Sequence, residues 1–225
     1  MRIQENLEHI RRNIKDACKM SGRNPDDVTI IAVTKYVSVD TARKAISAGI
    51  KHLGENRDEG FLHKKNEISE DAIWHFIGTL QSRKVKDIIN EIDYLHALDR
   101  ISLAKEIQKR ATGITKCFVQ VNVSGEVSKH GLQPEEVVPF IQKISQYDRI
   151  QVVGLMTMAP HIDNENRLRQ IFRDLKQLQK EVQALRHIHA PCTELSMGMS
   201  NDYSIAVEEG ASYIRIGTSL VGKEM

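Results

Sequence analysis

Short apolar segments alternate with longer amphipathic ones along the whole chain, and this alternation constrains the fold more than any other feature of the sequence. The first of these apolar segments is a β-branched run, VTIIAV. All of them are short enough to be strands, and they lie at residues 28–33, 52–54, 74–77, 94–97, 117–123, 152–158, 193–196 and 213–217. Helical periodicity separates them, at residues 39–48, 57–68, 82–89, 101–110, 134–144, 166–185 and 202–209. Strands that alternate with helices predict an α/β protein with a parallel sheet.

Eight strands favour a closed (β/α)8 barrel of the TIM type over an open doubly wound sheet, which ordinarily has fewer. The glycine-rich fingerprint of a dinucleotide-binding sheet is also missing after the first strand, where the sequence reads VTKYVS. Ile3, Leu7 and Ile10 recur at helical spacing and predict an extra N-terminal helix that ends near Gly22. We therefore expect residues 1–225 to form a single barrel domain.

Charge and cysteine content give no support to several classes of function. A formal net charge of +2 over 225 residues is too small to favour nucleic acid or a membrane surface as partner. The three cysteines have no CxxC spacing, so neither a disulfide framework nor a zinc cluster is expected. The chain opens with a charged amphipathic stretch and not with a signal peptide, which indicates a cytoplasmic protein.

Polar residues concentrate where the predicted strands end, which is the face that carries the chemistry in (β/α)8 barrels. Lys35 follows the first strand, Asn56 follows the second, and Arg215 lies near the end of the last one. A closed barrel makes the first and last strands neighbours. Lys35 is therefore expected beside the segment 215–218.

Arg215 and Lys35 are the charged candidates. Side chains on a strand alternate in direction, so Ile214 and Ile216 are expected to face the helices while Arg215 points into the barrel mouth. A guanidinium there needs a partner, either a ligand or an acidic side chain in a structural ion pair. Lys35 is either a lysine that reaches solvent, or an amine whose pKa is lowered by apolar surroundings and Arg215 and which can attack an aldehyde.

Two loops suit a phosphate group. Gly217 and Thr218 follow the last strand, and Ser196 and Ser200 flank the segment 197–199, so N–H groups and hydroxyls are available without bulky side chains. Barrels often bind phosphate after their seventh and eighth strands, and the N-terminus of the next helix adds positive potential. Helix capping and turn glycines explain each residue singly, but their convergence at one end of the barrel favours a ligand.

Weaker signals come from His75, His96 and Asn56. The two histidines lie within predicted strands, so each is either a core histidine or a contact to a ligand, and His75 is retained as a candidate cofactor contact. Asn56 either caps the helix that follows it or hydrogen-bonds a ligand oxygen. The nine histidines show no metal-binding spacing with a nearby carboxylate, so no metal site is expected.

Ordered motifs from the first predicted strand to the C-terminus resemble those of the pyridoxal phosphate homeostasis protein family (YggS/PROSC-like). They read IIAVTKYV, HLGENR, WHFIGTLQSRK, VQVNVSGEVSKHG, VGLMTMAP, ELSMGMSNDYSIAVEEGA and IRIGTSLVG. The resemblance implies a fold-type III barrel that binds pyridoxal 5′-phosphate (PLP). Such a barrel is similar to the N-terminal domain of alanine racemase but lacks the C-terminal β-domain of that enzyme.

The resemblance also implies a role for each candidate residue. Lys35 would hold PLP as a covalent aldimine, which is a Schiff base, and Asn56 would lie near the ring substituents. Arg215 would face the pyridine nitrogen. The phosphate would be bound by Ser196, Ser200, Gly217 and Thr218.

Storage and delivery of PLP, without substantial turnover, is the expected function. An arginine does not readily give up a proton, so the pyridine nitrogen stays unprotonated and the cofactor is a weaker electron sink. The alternatives are a weak amino-acid racemase, for which no second base is visible, and a class I aldolase that uses Lys35. The expected partners are PLP and the PLP-dependent apoenzymes that receive it, with the protein itself a monomer or weak homodimer.

Overall fold

A computed structural model gives the structure, which describes residues 2–126 and 130–224. Its strands are β1 (Thr29–Val33), β2 (His52–Glu55), β3 (Ile73–Phe76), β4 (Tyr94–Leu98), β5 (Thr115–Gln120), β6 (Ile150–Met156), β7 (Glu194–Met199) and β8 (Tyr213–Ile216). Each strand is parallel to the next, and β8 returns to pair with β1, with Ile31 opposite Arg215. The closed eight-stranded barrel predicted from the sequence is confirmed.

Helices connect the strands and also precede the first strand and follow the last one. They are α1 (Ile3–Ser21), α2 (Val39–Ser47), α3 (Asp58–Glu67), α4 (Val85–Ile88), α5 (Ile101–Arg110), α6 (Pro134–Ile144), α7 (Glu165–Ala184), α8 (Tyr203–Glu208) and α9 (Thr218–Val221). The segment predicted as one helix at 82–89 begins instead with a 3₁₀ turn at Ser82–Lys84, followed by α4. Among the described residues, no helix combines the length and apolar character needed to cross a membrane.

The extra N-terminal helix is an integral part of the fold. Ile3, Leu7 and Ile10 form its buried face, as their spacing predicts, and α1 packs against α8 and α9. Each buried Leu or Ile contributes about 1.5–3 kcal/mol. The helix ends at Gly22, whose φ of 67° lies in the left-handed region and whose N–H donates to the carbonyl of Cys18.

Side chains form one layer outside the strands and another layer inside the barrel. Outside the barrel, Trp74 of β3 meets Phe61 of α3 edge-on, with ring centroids 5.5 Å apart. Inside the barrel, Phe118 lies against Tyr213, with centroids 5.4 Å apart. Because neighbouring side chains on a strand alternate, His75 next to Trp74 faces the barrel interior.

Strand β7 departs from its predicted bounds in a way that affects the site. The sequence predicts that it ends at residue 196, whereas the strand continues to Met199. This moves Ser196 from the predicted rim into the middle of the strand.

In the motif at residues 119–131, residues 127–129 lie outside the described part of the chain.

Candidate functional site

A cavity of about 560 Å³ opens at the carboxyl ends of the strands. The candidate residues that line it are Lys35, Asn56, Ser200, Arg215, Gly217 and Thr218. The remaining two candidates, Ser196 and His75, are not among its lining residues. The barrel therefore brings an amine, a guanidinium and hydroxyl groups to one space, as the positions of their strands predict.

Lys35 lies two residues beyond the end of β1, and its side chain is exposed at the cavity. Its Nζ lies 4.9 Å from the centroid of the Tyr36 ring, within the range in which an ammonium group is attracted to a ring face. The expected apolar enclosure of this amine is wrong, because the loop after β1 carries the side chain past the strand end to solvent. The amine is accessible to a ligand that enters from outside.

The loop that carries Lys35 is tied to the C-terminal segment through Glu224. The backbone N–H of Glu224 donates to the carbonyl of Tyr36 over 2.9 Å, and its Oε2 accepts from the N–H of Ser38 over 2.6 Å. The Thr41 hydroxyl also donates to this carboxylate. These hydrogen bonds lower the pKa of Glu224 to about 2. The sequence offered no signal for this contact, since its partners are far apart in the chain.

Asn56 follows β2 and is half-buried at the cavity wall. Gly78, after β3, lies so close that a Cβ at its position would come within 2.2 Å of the Asn56 carbonyl oxygen. A side chain at residue 78 would displace the backbone at Asn56. The glycine is therefore required for Asn56 to occupy its observed position.

Arg215 points into the barrel from β8, as the alternation predicts, and is buried. Its Nη1 donates to Ser196 Oγ over 2.6 Å, and its Nη2 donates to the carbonyl oxygen of Thr157 over 2.8 Å. Burial lowers the pKa of Arg215 to about 10, while the charge of Asp202 acts in the opposite direction. The guanidinium therefore stays charged at neutral pH, and both of these acceptors are neutral oxygens.

The phosphate-binding interpretation of Ser196 does not fit the structure. Its side chain is fully buried in the barrel interior, where Oγ contacts Arg215 Nη1 and His96 Nδ1, the latter over 2.9 Å. The reason is the length of β7, which places this residue below the rim. Ser196 supports Arg215 from beneath the cavity.

His75 is likewise a core residue and not a cavity residue. Its Nε2 is hydrogen-bonded to His52 Nδ1 and its Nδ1 to His96 Nε2, both over 2.9 Å. We call His52, His75 and His96 the histidine chain. Among the described residues, no group of three or more His, Cys, Asp or Glu side chains is placed to hold a metal ion.

The turn from β8 into α9 forms one wall of the cavity. Gly217 precedes the helix, and the first N–H groups of any helix lack acceptors within it. Thr218 and Ser219 are exposed, and Ser219 Oγ donates to Ser200 Oγ over 3.0 Å, which links this turn to the end of β7. Hydroxyl and N–H donors from the last two strands thus lie together, an arrangement that suits an anion.

Asp202 lines the cavity, and the sequence interpretation did not single it out as a site residue. Its Oδ1 accepts a hydrogen bond from the N–H of Met199 over 2.6 Å, and burial raises the pKa of this carboxyl group. Gly198, with φ of 95°, lets α8 approach, because a Cβ there would come within 2.6 Å of the Cβ of Ala206. An aspartate at the first position of the helix predicted at residues 202–209 was the available signal.

A closed parallel barrel with an accessible lysine after β1, a buried arginine in β8 and hydroxyl groups at the ends of β7 and β8 defines an alanine racemase-like barrel. The family model described as alanine racemase, N-terminal domain, matches residues 6–224. A pyridoxal phosphate homeostasis protein of Aquifex aeolicus (strain VF5) is 37% identical over 227 residues, which cover 99% of each chain. The chain therefore belongs to the pyridoxal phosphate homeostasis protein family, as the motifs indicated.

Solved structures agree with this assignment. The structure of PipY from Synechococcus elongatus PCC7942 with PLP bound is 31% identical, with a TM-score of 0.85 over 98% of this chain and 100% of that chain. Alanine racemase of Clostridium difficile 630 has a TM-score of 0.76 at 15% identity, and the match covers 97% of this chain but 56% of the racemase. At that identity the likeness concerns the fold alone.

Proposed function

We propose that this protein binds PLP in the cavity at the carboxyl ends of the strands and stores and releases it within the cell, through a reversible Schiff base to Lys35. One observation carries the proposal: the accessible amine of Lys35, the buried guanidinium of Arg215 and the turn at Gly217 and Thr218 line the same cavity. The names of the relatives and the PLP-bound PipY structure support it.

The residues present fit the chemical groups of PLP. The cofactor supplies an aldehyde that condenses reversibly with amines, together with a phosphate and an aromatic ring nitrogen that accepts a hydrogen bond. Lys35 would offer the amine, Arg215 would donate to the ring nitrogen, and Asn56 would lie beside the ring. Ser200, Gly217 and Thr218 would hold the phosphate. A volume of about 560 Å³ falls in the usual range for cofactor sites.

The site favours holding and exchanging PLP over amino-acid turnover. Arg215 donates hydrogen bonds but keeps its proton at neutral pH, since its pKa is about 10, so a ring nitrogen facing it would remain unprotonated. Carbanion chemistry gains from a protonated ring and from exclusion of water. Arg215 would leave the first condition unmet, and the exposure of Lys35 to solvent would leave the second unmet. The same exposure leaves the amine open to exchange.

Several broader features belong to the same proposal. We infer that residues 1–225 act as one barrel domain in the cytoplasm, as a monomer or weak homodimer, and that PLP-dependent apoenzymes receive the cofactor. A net charge of +2 gives no electrostatic indication of a nucleic-acid partner. Mixing PLP-loaded protein with a PLP-dependent apoenzyme and following the recovery of its activity would measure the transfer.

A titration with PLP tests the binding site. The visible absorbance of the Schiff base should appear with the wild-type protein and be absent in Lys35→Ala. The control is Lys223→Ala, since Lys223 Nζ lies 5.5 Å from the centroid of the same Tyr36 ring and offers a second amine nearby. The control variant should retain the absorbance. Absorbance that survives in Lys35→Ala, or a wild-type protein that binds no PLP, would contradict the proposal.

A further inference from the structure

A continuous line of hydrogen bonds runs through the barrel interior from the amino-terminal end of β2 to the floor of the cavity. It comprises the histidine chain, then Ser196 Oγ, then Arg215 Nη1, with 2.9 Å between successive groups up to Ser196 and 2.6 Å at the last step. We propose that the histidine chain positions Arg215 through Ser196, and that Arg215 in turn sets the direction of every hydrogen bond down to His52. This inference concerns the support of the proposed PLP site.

The direction follows from the donor chemistry. A guanidinium can only donate, so Ser196 Oγ is the acceptor of its bond with Arg215. Among the described residues, the other hydrogen-bond partner of that oxygen is His96 Nδ1, and no buried side-chain polar atom lacks a partner. The Ser196 O–H therefore donates to His96 Nδ1, which carries no proton.

The same reasoning continues along the histidine chain. A neutral imidazole has one N–H, so His96 carries it on Nε2 and donates to His75 Nδ1. His75 then donates from Nε2 to His52 Nδ1. The proton of His52 is left on Nε2. All the hydrogen bonds point away from the positive charge of Arg215, which is the electrostatically favoured direction.

The surroundings keep the two inner histidines neutral, which a directional chain requires. His75 stacks on Tyr94 with ring centroids 4.6 Å apart, and His96 stacks on Phe118 at 4.3 Å. Both histidines are fully buried, and that burial holds the pKa of each well below its ordinary value. Each therefore keeps a single proton, so a change of direction has to involve both.

His52, at the far end, is half-buried and is the most exposed of the three histidines in the histidine chain. Burial lowers its pKa, Asp93 acts to raise it and Lys51 to lower it. The other charged or titratable groups near it are His75, Tyr213 and, in a cleft of which His52 forms part of the lining, Arg11, Lys15 and Asp26. A proton added to His52 Nδ1 would face the N–H of His75, so both inner histidines would have to change tautomer against the Ser196 hydroxyl.

This arrangement leads to an unusual expectation. Removal of the Ser196 hydroxyl should change the protonation of His52, which lies three hydrogen bonds away. In Ser196→Ala, His96 Nδ1 loses its donor and the chain is free to reverse. The proton affinity of His52 should then rise by about three- to tenfold, the equivalent of one buried hydrogen bond. Ser196→Thr keeps the hydroxyl and should behave like the wild type. Ser200→Ala removes a cavity hydroxyl outside the chain and should leave His52 unchanged.

The test is a pH titration of the histidine side-chain nitrogens by ¹⁵N NMR in protein without PLP, so it does not depend on the proposed function. If Ser196→Ala does not fold, His75→Leu interrupts the histidine chain at another point. This variant should raise the proton affinity of His52 in the same way. The inference is overturned if His52 titrates identically in the wild type and in whichever of Ser196→Ala and His75→Leu is folded.

Affinity for PLP provides the second measurement. Loss of the hydrogen bond to Arg215 should weaken PLP binding about tenfold in Ser196→Ala, with recovery in Ser196→Thr. If the wild type binds no PLP, the proposed function fails while the NMR titration still decides on the histidine chain. If the wild type and Ser196→Ala bind PLP equally well, the positioning role of the chain is refuted while the proposed function stands.

Discussion

The hydroxyl of Thr34 donates a hydrogen bond of 2.6 Å to Glu55 Oε1, inside the rim of the barrel. The same carboxylate oxygen lies 3.0 Å from Lys64 Nζ, and all three side chains are buried. Thr34 immediately precedes Lys35, and Glu55 immediately precedes Asn56. This contact therefore fixes the ends of β1 and β2 relative to each other, and with them two of the residues proposed to hold PLP.

Replacing Glu55 should be costly. In Glu55→Gln the amide oxygen can still accept from Thr34, but Lys64 is left buried without a counter-charge, and we expect a loss of about 3–5 kcal/mol in the free energy of unfolding. Urea denaturation measures this. The double variant Glu55→Gln/Lys64→Met removes the unpaired charge and should lose clearly less. Equal losses in the single and double variants would show that the ion pair is not what stabilises this corner.

Acid should destabilise the protein through its buried histidines. The pKa values of His75 and His96 are lowered in the folded protein, so the unfolded chain binds more protons once the pH falls below the ordinary histidine value of 6.5. The free energy of unfolding should be highest above that pH and fall below it, by up to about 2.7 kcal/mol per pH unit for two protons.

Unfolding in urea at a series of pH values between 7 and 5 checks this linkage. His96→Gln should have a smaller dependence on pH than the wild type, because one buried titrating group is gone. His63→Gln, at an exposed histidine of α3, should have the wild-type dependence. Stability that does not change between these pH values would mean that the buried histidines take up protons as readily in the folded state as in the unfolded chain.

The turn at Thr218 can be tested with two forms of the ligand. Thr218→Val removes a hydroxyl with little change in shape, and we expect affinity for PLP to fall about tenfold, because a hydrogen bond to a charged phosphate is lost. Affinity for pyridoxal, which has no phosphate, should not change. Fluorescence or absorbance titrations with both ligands give the comparison. An equal loss for the two ligands would place Thr218 away from the phosphate.

Turnover of amino acids separates a PLP carrier from a racemase. We expect PLP-loaded protein, incubated with L- and D-amino acids, to interconvert the enantiomers no faster than the same concentration of free PLP, since Arg215 would leave the ring nitrogen unprotonated. Chiral chromatography over time measures the rate. Steady racemisation that is well above the free-cofactor rate and is lost in Lys35→Ala would establish an enzyme.

The fold could be predicted from the sequence because its signal is local and repeated. Each strand is a short, largely apolar segment, and amphipathic helical segments separate one strand from the next. Helices α5 (Ile101–Arg110) and α6 (Pro134–Ile144) have the bounds that their periodicity predicts. Less regular segments were predicted less well, such as the turn before α4, where four helical residues follow a 3₁₀ turn.

The site was predicted where alternation and strand order decide the outcome, and missed where depth in the barrel decides it. Arg215 points inward because of its place in β8, and the closure of the barrel brings it to the cavity that Lys35 lines. Ser196 was misplaced because the predicted end of β7 was three residues too early. His75 was misplaced because a histidine in a strand can face either the core or the cavity. Both outcomes depend on contacts between distant strands, which the local sequence pattern does not describe. The exposure of Lys35 likewise depends on the path of a loop, which periodicity does not describe.

Borohydride reduction of the PLP-loaded protein, followed by proteolysis and mass mapping, tests the central claim most directly. Reduction makes the link between an amine and the cofactor permanent, so the modified residue can be read from the peptides. The account predicts a phosphopyridoxyl group on Lys35, with Lys223 left unmodified. Modification spread evenly over exposed lysines, or its absence from Lys35, would contradict it.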